Sequence, residues 1–303
     1  MTFNRTELVG AAQLSIAHGS KSFTLASQLF DGRTRERAWL LYYWCRACDD
    51  IVDGQAGGGE LSRVDRPRER VAEVRALTEA ALRGEHTGRE PFDALALVAA
   101  ECSIAPQLPH DVIDGFVLDA ECWQPQTESD LLQYCYHVAG AVGRMMALVM
   151  GVSATDRDTL DRATDLGLAF QLGNIARDLH EDARAGRCYL PRDWLAAHGP
   201  LSRETAATYG ARLADLAERH EASARVGAAR LPFRARWAVL AAAGIYGDIA
   251  REVRARGNAA WDERVVTGKR QKLAWVARAL AQALRNNPQE FDRAGLWTLA
   301  ASG

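Results

Sequence analysis

One segment near the middle of the chain carries three oxygen-bearing side chains at the spacing of a helix. Asn174, Asp178 and Asp182 follow one another at intervals of four residues. On an α-helix this interval stacks side chains along one face. Stacked carboxylates repel one another by a few tenths of a kcal/mol for each pair. The segment is therefore constrained to a helix that either presents an acidic face to solvent or holds a cation.

The residues around these side chains are apolar, which favours the cation. The intervening positions hold Leu172, Ile175, Ala176 and Leu179, and a helix that is apolar over most of its circumference is typically buried. Hard cations such as Mg²⁺ prefer oxygen ligands, and commonly bind one or two carboxylates together with substrate phosphates. We therefore interpret the segment as one side of an interior metal site.

A second acidic pair lies nearer the start of the chain. Asp49 and Asp53 are also four residues apart, and they follow the strongly apolar run 38–44. Two such helices are expected to face each other across a cavity, where metal ions between them would bind a diphosphate and make it a good leaving group. That step needs no protein nucleophile, because electrostatic stabilisation of the departing anion provides most of the effect. The predicted catalytic residues are Asp49, Asp53, Asp178 and Asp182, and the predicted metal ligands are these four with Asn174.

Composition favours an all-α protein and argues against several functions. The 303 residues are 48% hydrophobic, alanine and arginine are abundant, and β-branched runs are short. The formal net charge of −2 gives no indication of nucleic-acid binding. No signal segment is evident, and the most apolar windows, 139–152 and 237–250, are too short or too polar to span a bilayer. We expect one helical domain over residues 1–303, located in the cytoplasm, with its six cysteines reduced.

Several ordered motifs resemble those of the squalene/phytoene synthase family, and most of all its bacterial phytoene synthases. They occur in the family's order and at its spacing, over about residues 15 to 195, with a looser match to about residue 285. They are the segments 20–23, 42–46, 49–53, 134–140, 174–182 and 186–191.

The resemblance implies a fold and a reaction. The fold would be an isoprenoid synthase bundle with a central cavity between antiparallel helices. The reaction would be the head-to-head condensation of two geranylgeranyl diphosphates, through prephytoene diphosphate, to phytoene, with release of diphosphate, a step of carotenoid biosynthesis. The implied cofactor is Mg²⁺, with Mn²⁺ as a substitute, and NADPH is not expected.

The nearest alternative is a squalene or presqualene diphosphate synthase, which acts on farnesyl diphosphate. The complete squalene reaction also consumes NADPH, and no G-x-G-x-x-G fingerprint occurs in the sequence. A scaffold protein related to the family is disfavoured because both acidic clusters are intact.

Further substrate-binding residues are implied by the resemblance or by position. By resemblance, Lys21 contacts phosphate, Tyr134 and Val138 line the substrate tunnel, and Tyr189 belongs to the site. A solvated lysine is the alternative for Lys21. By position, the candidates are Phe23, Tyr42, Arg46, Gln171 and Arg177.

These positional candidates have structural alternatives. Phe23 is either a tunnel residue or core. Tyr42 either stabilises a carbocation through its ring face or simply packs. Arg46 either grips a diphosphate or pairs with Asp49 or Asp50 on its own helix.

Other features are assigned no role in the site. Four carboxylates, Asp111, Asp114, Asp119 and Glu121, are interpreted as surface or capping residues. Segment 129–151 is predicted to be one long apolar helix. The glycine-rich stretch 54–59 is either a connector or a loop that closes over substrate. No obligate protein partner is expected, whereas apolar substrates suggest peripheral contact with the inner membrane face.

Overall fold

The computed structural model describes residues 3–19, 21–54, 66–287 and 290–299, without the side chains of residues 21 and 22. This part of the chain is all-α and contains no β-strand, which confirms the predicted fold class. A π-helical turn, Tyr136–Gly140, and a 3₁₀ turn, Gly257–Trp261, accompany the α-helices. These helices are α1 (Arg5–Gly19), α2 (Lys21–Ser27), α3 (Gly32–Asp53), α4 (Pro67–Leu82), α5 (Glu90–Cys102), α6 (Gln107–Ala120), α7 (Glu128–Cys135), α8 (Ala141–Val149), α9 (Arg157–Arg184), α10 (Arg192–His198), α11 (Ala206–Ala228), α12 (Phe233–Arg256) and α13 (Lys269–Arg285).

Local sequence determines where the two acid-bearing helices, α3 and α9, begin and end. The Asp31 side chain accepts a hydrogen bond from the backbone N–H of Thr34 and caps α3, and Asp156 caps α9 in the same way through Thr159. Helix α3 ends at Gly54, whose φ of 65° is the left-handed conformation that glycine adopts without steric penalty. The acidic residues therefore lie in the last turn of α3.

Helix α9 occupies the middle of the bundle. It has 28 residues, which gives it a length of about 42 Å. It packs against α8, α11, α12 and the π-helical turn, while α3 packs against α1 and α5 on another side. One hydrophobic core extends through these elements, and a smaller cluster joins α12 to α13.

Helices α8 and α9 approach each other closely because glycines lie where they cross. A Cβ atom on Gly167 would lie 2.4 Å from the carbonyl oxygen of Ala139, and one on Gly143 would lie 2.4 Å from that of Ala163. Both obstacles are backbone atoms, which cannot rotate away. Glycine is therefore required at this crossing.

The prediction of one long α-helix over 129–151 is wrong in its detail. The chain stays helical, but residues Tyr136–Gly140 form a π-helical turn between α7 and α8. A π-helical turn bonds each residue to the fifth along, so it shifts the faces that the two flanking helices present.

The short helix α10 was not predicted, and most of the glycine-rich stretch 54–59 lies outside the described residues. None of the described helices is both long and apolar enough to cross a bilayer.

Candidate active site

An elongated cavity of about 530 Å³ runs through the bundle. Helix α9 lines it from Thr159 to Asn174, a stretch of about 22 Å at the rise of an α-helix. We call the part around Asn174 the acidic end and the part around Thr159 the far end. Most of the wall between them is apolar. The predicted residues that line the cavity are Phe23, Tyr42, Asp49, Asp53, Tyr134, Val138, Gln171 and Asn174.

The two predicted acidic clusters meet at one end of this cavity. Asp49 and Asp53 of α3 line it together with Asn174 of α9. Asp178 and Asp182 continue the same face of α9 by one and two further turns. The charge of Asp119, on α6, raises the pKa of both Asp49 and Asp182. Carboxylates from α3, α6 and α9 therefore lie within electrostatic reach of one another.

Two of these carboxylates, Asp49 and Asp182, hold their protons unusually tightly. Burial raises the pKa of Asp49 to about 7, with Arg46 opposing the shift and Asp53 among the carboxylates that reinforce it. Burial also raises the pKa of Asp182 to about 7, followed by the charge of Asp178. Neither side chain has an ion pair or a side-chain hydrogen bond within the described part of the chain. The oxygen atoms of these two half-buried carboxylates are therefore available as ligands, and hard cations prefer oxygen ligands.

Arginines bind the two other aspartates. Arg177 contacts both oxygens of Asp178, at 2.8 and 2.5 Å, and Nη2 of Arg264 lies 3.1 Å from each of them. Nη2 of Arg187 lies 3.4 Å from Asp53. Burial alone would lower the pKa of Arg187, but Tyr189, Asp119 and Asp53 raise it above its usual value. Three cations are thus held beside the carboxylates, in positions to bind an incoming anion.

The two predicted tyrosines reach the site through Asp119. The Tyr189 hydroxyl donates to one oxygen of Asp119 at 2.8 Å, and the Tyr134 hydroxyl lies 3.0 and 3.1 Å from both oxygens. The two rings stack with centroids 4.8 Å apart. Burial raises the pKa of Asp119, against the opposing charge of Arg187. Asp119 therefore connects α6 to α7 and to the segment after α9.

The interpretation of Asp119 and Asp111 as surface or capping residues is wrong. Asp119 lines the cavity on the same face of α6 as Val112 and Phe116, and this spacing is the signal that the sequence contains. Asp111 is buried, and its carboxylate accepts hydrogen bonds from Tyr136 and Gln107.

Arg46 does not line the cavity. It binds Asp50 at 2.5 Å, and the two residues border a shallow pocket with Tyr43 and Arg89. The geometry thus matches the alternative of an intrahelical pair, and a diphosphate contact by Arg46 stays a prediction. The side chain of Lys21 lies outside the described residues.

Aromatic rings cover the cavity wall beside the acidic end. Phe23 stacks on Tyr42 with centroids 5.4 Å apart, and Phe170 stacks on Tyr246 at 4.5 Å. All four line the cavity. Aromatic rings that line an apolar space are suited to stabilising a carbocation.

A separate group of possible metal ligands does not compete with this site. Within the described ranges, Asp111, Asp114 and His137 offer three ligand atoms within 4.8 Å of one another. Each already has protein partners: Asp111 has those named above, Asp114 binds Arg75, and Nδ1 of His137 contacts the carbonyl of Asp111. The predicted ligands around the cavity are spread over its acidic end and do not converge on one point in this way.

Three side chains of the site were missed from sequence. Arg187 lies inside the recognised segment 186–191, so its motif was a usable signal. Asp119 had the helical spacing described above. Arg264 lies between the 3₁₀ turn and α13, 86 residues from Asp178, and no local pattern marks it.

Comparison with known proteins gives consistent results. A sequence profile of the squalene/phytoene synthase family matches residues 16–271. A protein from Paracoccus sp. named 15-cis-phytoene synthase is 43% identical over 300 residues, covering 97% of this chain and 98% of its own. A phytoene synthase from Pseudescherichia vulneris is 42% identical over 302 residues, covering 96% of this chain and 97% of its own.

Solved structures share the fold. A dehydrosqualene synthase bound to a ligand superposes with a TM-score of 0.81 at 24% identity, covering 93% of this chain and 98% of that one. A squalene synthase from Alicyclobacillus acidocaldarius gives a TM-score of 0.72 at 20% identity, covering 85% and 97%. With the profile match over most of its length and these full-length relatives, the chain belongs to the squalene/phytoene synthase family.

Proposed function

We propose that this chain is a 15-cis-phytoene synthase, which condenses two geranylgeranyl diphosphates head to head, through prephytoene diphosphate, to phytoene. One observation carries the proposal: carboxylates of two helices, two of them without a partner in the described part of the chain, meet at one end of a long apolar cavity. Relatives that match almost the whole chain are named phytoene synthases, which favours this reaction over the squalene and presqualene diphosphate alternatives.

The donor set at the acidic end fits divalent metal ions. Asp49 and Asp182 have oxygen donors that the described protein leaves unpaired, and burial, reinforced by neighbouring carboxylates, keeps their pKa high. Bound here, Mg²⁺, or Mn²⁺ in its place, would stabilise the departing diphosphate electrostatically. The residues proposed to hold it are Asp49, Asp53, Asn174, Asp178 and Asp182.

The arginines of the site are proposed to bind the diphosphate itself. Arg177 and Arg264 both bind the single carboxylate of Asp178, so a more highly charged diphosphate can compete for these two arginines. A planar guanidinium binds phosphate oxygens bidentately. Arg187 extends this cationic group toward Asp53.

The cavity wall is proposed to guide the carbocations that ionisation creates. The rings of Phe23, Tyr42, Phe170 and Tyr246 direct π density at the space beside the acidic end. The apolar wall between α9, α11 and α12 excludes water, which would otherwise quench a cation. No described side chain is placed as an obvious final base, and the released diphosphate is proposed to accept the last proton.

The whole chain is proposed to act as one unit in the cytoplasm, in peripheral contact with the inner membrane face. Its core cluster extends from Leu8 on α1 to Val265 after α12, which supports one unit. The partners proposed are the prenyl diphosphates, with no nucleic acid and no obligate protein partner.

A product assay tests the function directly. Purified protein is incubated with geranylgeranyl diphosphate and Mg²⁺ but no NADPH, and with farnesyl diphosphate in a parallel reaction. The expected result is a C40 hydrocarbon with a central triene from the first reaction. Turnover of farnesyl diphosphate alone, ending at a C30 cyclopropyl diphosphate or a C30 hydrocarbon, would contradict the substrate assignment and leave the metal site intact.

A further inference from the structure

Helix α13 carries large apolar side chains on its solvent side. Leu273 is 63% exposed and Leu284 is 67% exposed. They are eleven residues apart, which brings them to within about 20° of the same line along an α-helix. Ala277 and Ala281 lie beside them on this exposed face, and the partly buried Leu280 borders it. The opposite face, with Ala279 and Ala283, packs on α12.

The solvent side of α13 is also positively charged. Helix α13 contains five lysines and arginines and no acidic residue. Arg270, Arg278 and Arg285 are exposed, and none of them forms an ion pair within the described residues. Neighbouring α12 differs: its Arg254 binds Asp215 and Glu218 on α11. No carboxylate of the described residues therefore neutralises the positive charge of these arginines.

The start of α12 extends the apolar stripe of α13. Phe233 is 41% exposed and its ring lies 6.4 Å from that of Trp237. Nε1 of Trp237 donates to the carbonyl of Val276 at 2.9 Å, which fastens this end of α12 to α13. An aromatic pair thus lies next to the leucines. We call Phe233, Leu273, Leu284, Arg270, Arg278 and Arg285 the α13 face.

The buried side of α13 packs on a cluster that borders the far end of the cavity. Val239 lines the cavity and also packs on the small cluster between α12 and α13. Trp237 and Val276 pack on that cluster from the outer side. Leu231, just before α12, lines the cavity as well. The small cluster and α13 itself therefore separate the apolar interior from the α13 face.

We propose that the α13 face docks on an anionic lipid bilayer. A basic helix with leucines on one stripe, arginines beside it and an aromatic pair at its border has the features of a helix lying in the membrane interface. Unpaired arginines complement anionic head groups, and the leucines and Phe233 enter the boundary of the acyl chains. The α13 face would then be the site of the peripheral membrane contact proposed above. Only the biological purpose of this docking rests on the proposed function.

Vesicle co-sedimentation tests the α13 face independently of catalysis. Purified protein is mixed with vesicles of phosphatidylcholine alone and with vesicles that also contain phosphatidylglycerol, at low and at high salt. Strong binding is expected only to the anionic vesicles, and added salt should weaken it. Equal binding to both vesicle types, or to neither, would overturn the proposal.

Variants on α13 and on α1 locate the contact. Leu273→Glu and Leu284→Glu should each weaken binding by about tenfold or more, since each removes an exposed leucine that would enter the bilayer and adds a charge that the anionic lipids repel. Leu14→Glu is the matched control: Leu14 is 66% exposed on α1, which packs on α3 and α5 rather than on α13. An equal loss with Leu14→Glu, or no loss with both α13 variants, would refute the assignment.

Charge and activity are separated by two further measurements. The double variant Arg278→Gln/Arg285→Gln should lose the preference for anionic vesicles while keeping its far-UV circular dichroism, and a retained preference would contradict the role of these arginines.

Product formation is measured in detergent micelles, where no bilayer is needed. Activity in micelles without vesicle binding would refute the α13 face and leave the function standing. Vesicle binding without product formation would support the α13 face and contradict the proposed function.

Discussion

Two aspartates at the acidic end have no side-chain partner among the described residues, while two others are bound by arginines. Asp49 and Asp182 have a pKa raised to about 7, whereas Asp53 and Asp178 are paired with arginines. The same group of residues can thus bind cations through its carboxylates and an anion through its arginines. A metal diphosphate carries both kinds of charge, which is why this arrangement suits it.

Removing one carboxylate charge is expected to stop turnover. Asp53→Asn and Asp178→Asn keep the side-chain shape but weaken metal binding, so each should lower the rate on the order of 100-fold or more. The initial rate of product formation and the far-UV circular dichroism are measured together. Asp114→Asn, which removes a carboxylate paired with Arg75 away from the cavity, should keep its rate. A near-normal rate in either cavity variant would break the metal assignment.

The stability of the metal-free protein should fall as pH rises toward and past 7. Burial raises the pKa of Asp49 and Asp182 to about 7, while an unfolded aspartate titrates near about 4. The protonated carboxyls therefore stabilise the fold fully below about pH 4, and this contribution is lost as the pH passes through about 7. Asp49→Asn should flatten the dependence of the melting temperature on pH between about 5 and 8. An identical dependence in the variant would contradict the raised pKa.

Mg²⁺ should stabilise the protein, and its effect should grow as the pH rises through about 7. Only ionised carboxylates bind the cation, so the rise in melting temperature on adding Mg²⁺ should be larger at about pH 8 than at about pH 5.5. A chelator should reverse it. An equal rise at both pH values would show that the ion binds elsewhere.

At the scale of elements, the crossing of α8 and α9 depends on the absence of side chains. Gly143 and Gly167 let the two backbones approach, and both also line the cavity. The sequence suggested either close packing or free volume for substrate at the small residues of segment 129–151. The structure shows that Gly143 serves both purposes, because the same absent Cβ faces α9 and the cavity.

Gly167→Ala should destabilise the protein, and Gly173→Ala should not. The added methyl at position 167 meets the backbone of Ala139 and Gly140 at 2.4 to 2.7 Å, and such overpacking typically costs about 1–3 kcal/mol. At position 173 on the same helix the nearest atom is 3.8 Å away, so the better helix propensity of alanine should add about 1 kcal/mol of stability. Denaturant unfolding of both variants checks this, and a more stable Gly167→Ala would refute the close crossing.

For the whole molecule, we expect the length of the cavity to select among substrates. It extends from Asn174 to Thr159 along α9, and its far end is closed by the end of α11 and the start of α12. Ala228 lines this far end, near Arg230, whose guanidinium donates to Thr159 at 3.1 Å. No single helix defines the depth.

Ala228→Phe should shorten the substrates that the protein accepts. A phenyl ring would fill the far end of the cavity, so the rate with geranylgeranyl diphosphate should fall about tenfold or more relative to the rate with farnesyl diphosphate. The ratio of the two rates is measured, and turnover of the shorter substrate reports that the variant has folded. Ala228→Gly should leave the ratio nearly unchanged. Equal losses with both substrates would show that the far end does not set chain length.

By itself, the sequence determined the helices and the two acidic faces. The all-α fold was predictable because helical periodicity and capping are local: Asp31 and Gly54 bound α3, and Asn174, Asp178 and Asp182 share a face at four-residue spacing. The ordered motifs identified the family for the same reason, since each is a short run of neighbours. Such motifs predicted Tyr134 and Tyr189 as site residues, whereas the stacking of their rings is a feature of the tertiary structure.

Only the tertiary structure decided what completes the site. Asp119, Arg187 and Arg264 come from three separate parts of the chain, and their meeting around the acidic clusters depends on how the helices pack. The sequence left two partners open for Arg46, a diphosphate or an aspartate of its own helix, and in the packed bundle Arg46 binds Asp50 and borders a different pocket. The depth of the cavity likewise depends on α9, α11 and α12 together. Side-chain spacing is a property of one helix, whereas contact between distant residues is a property of the packed bundle.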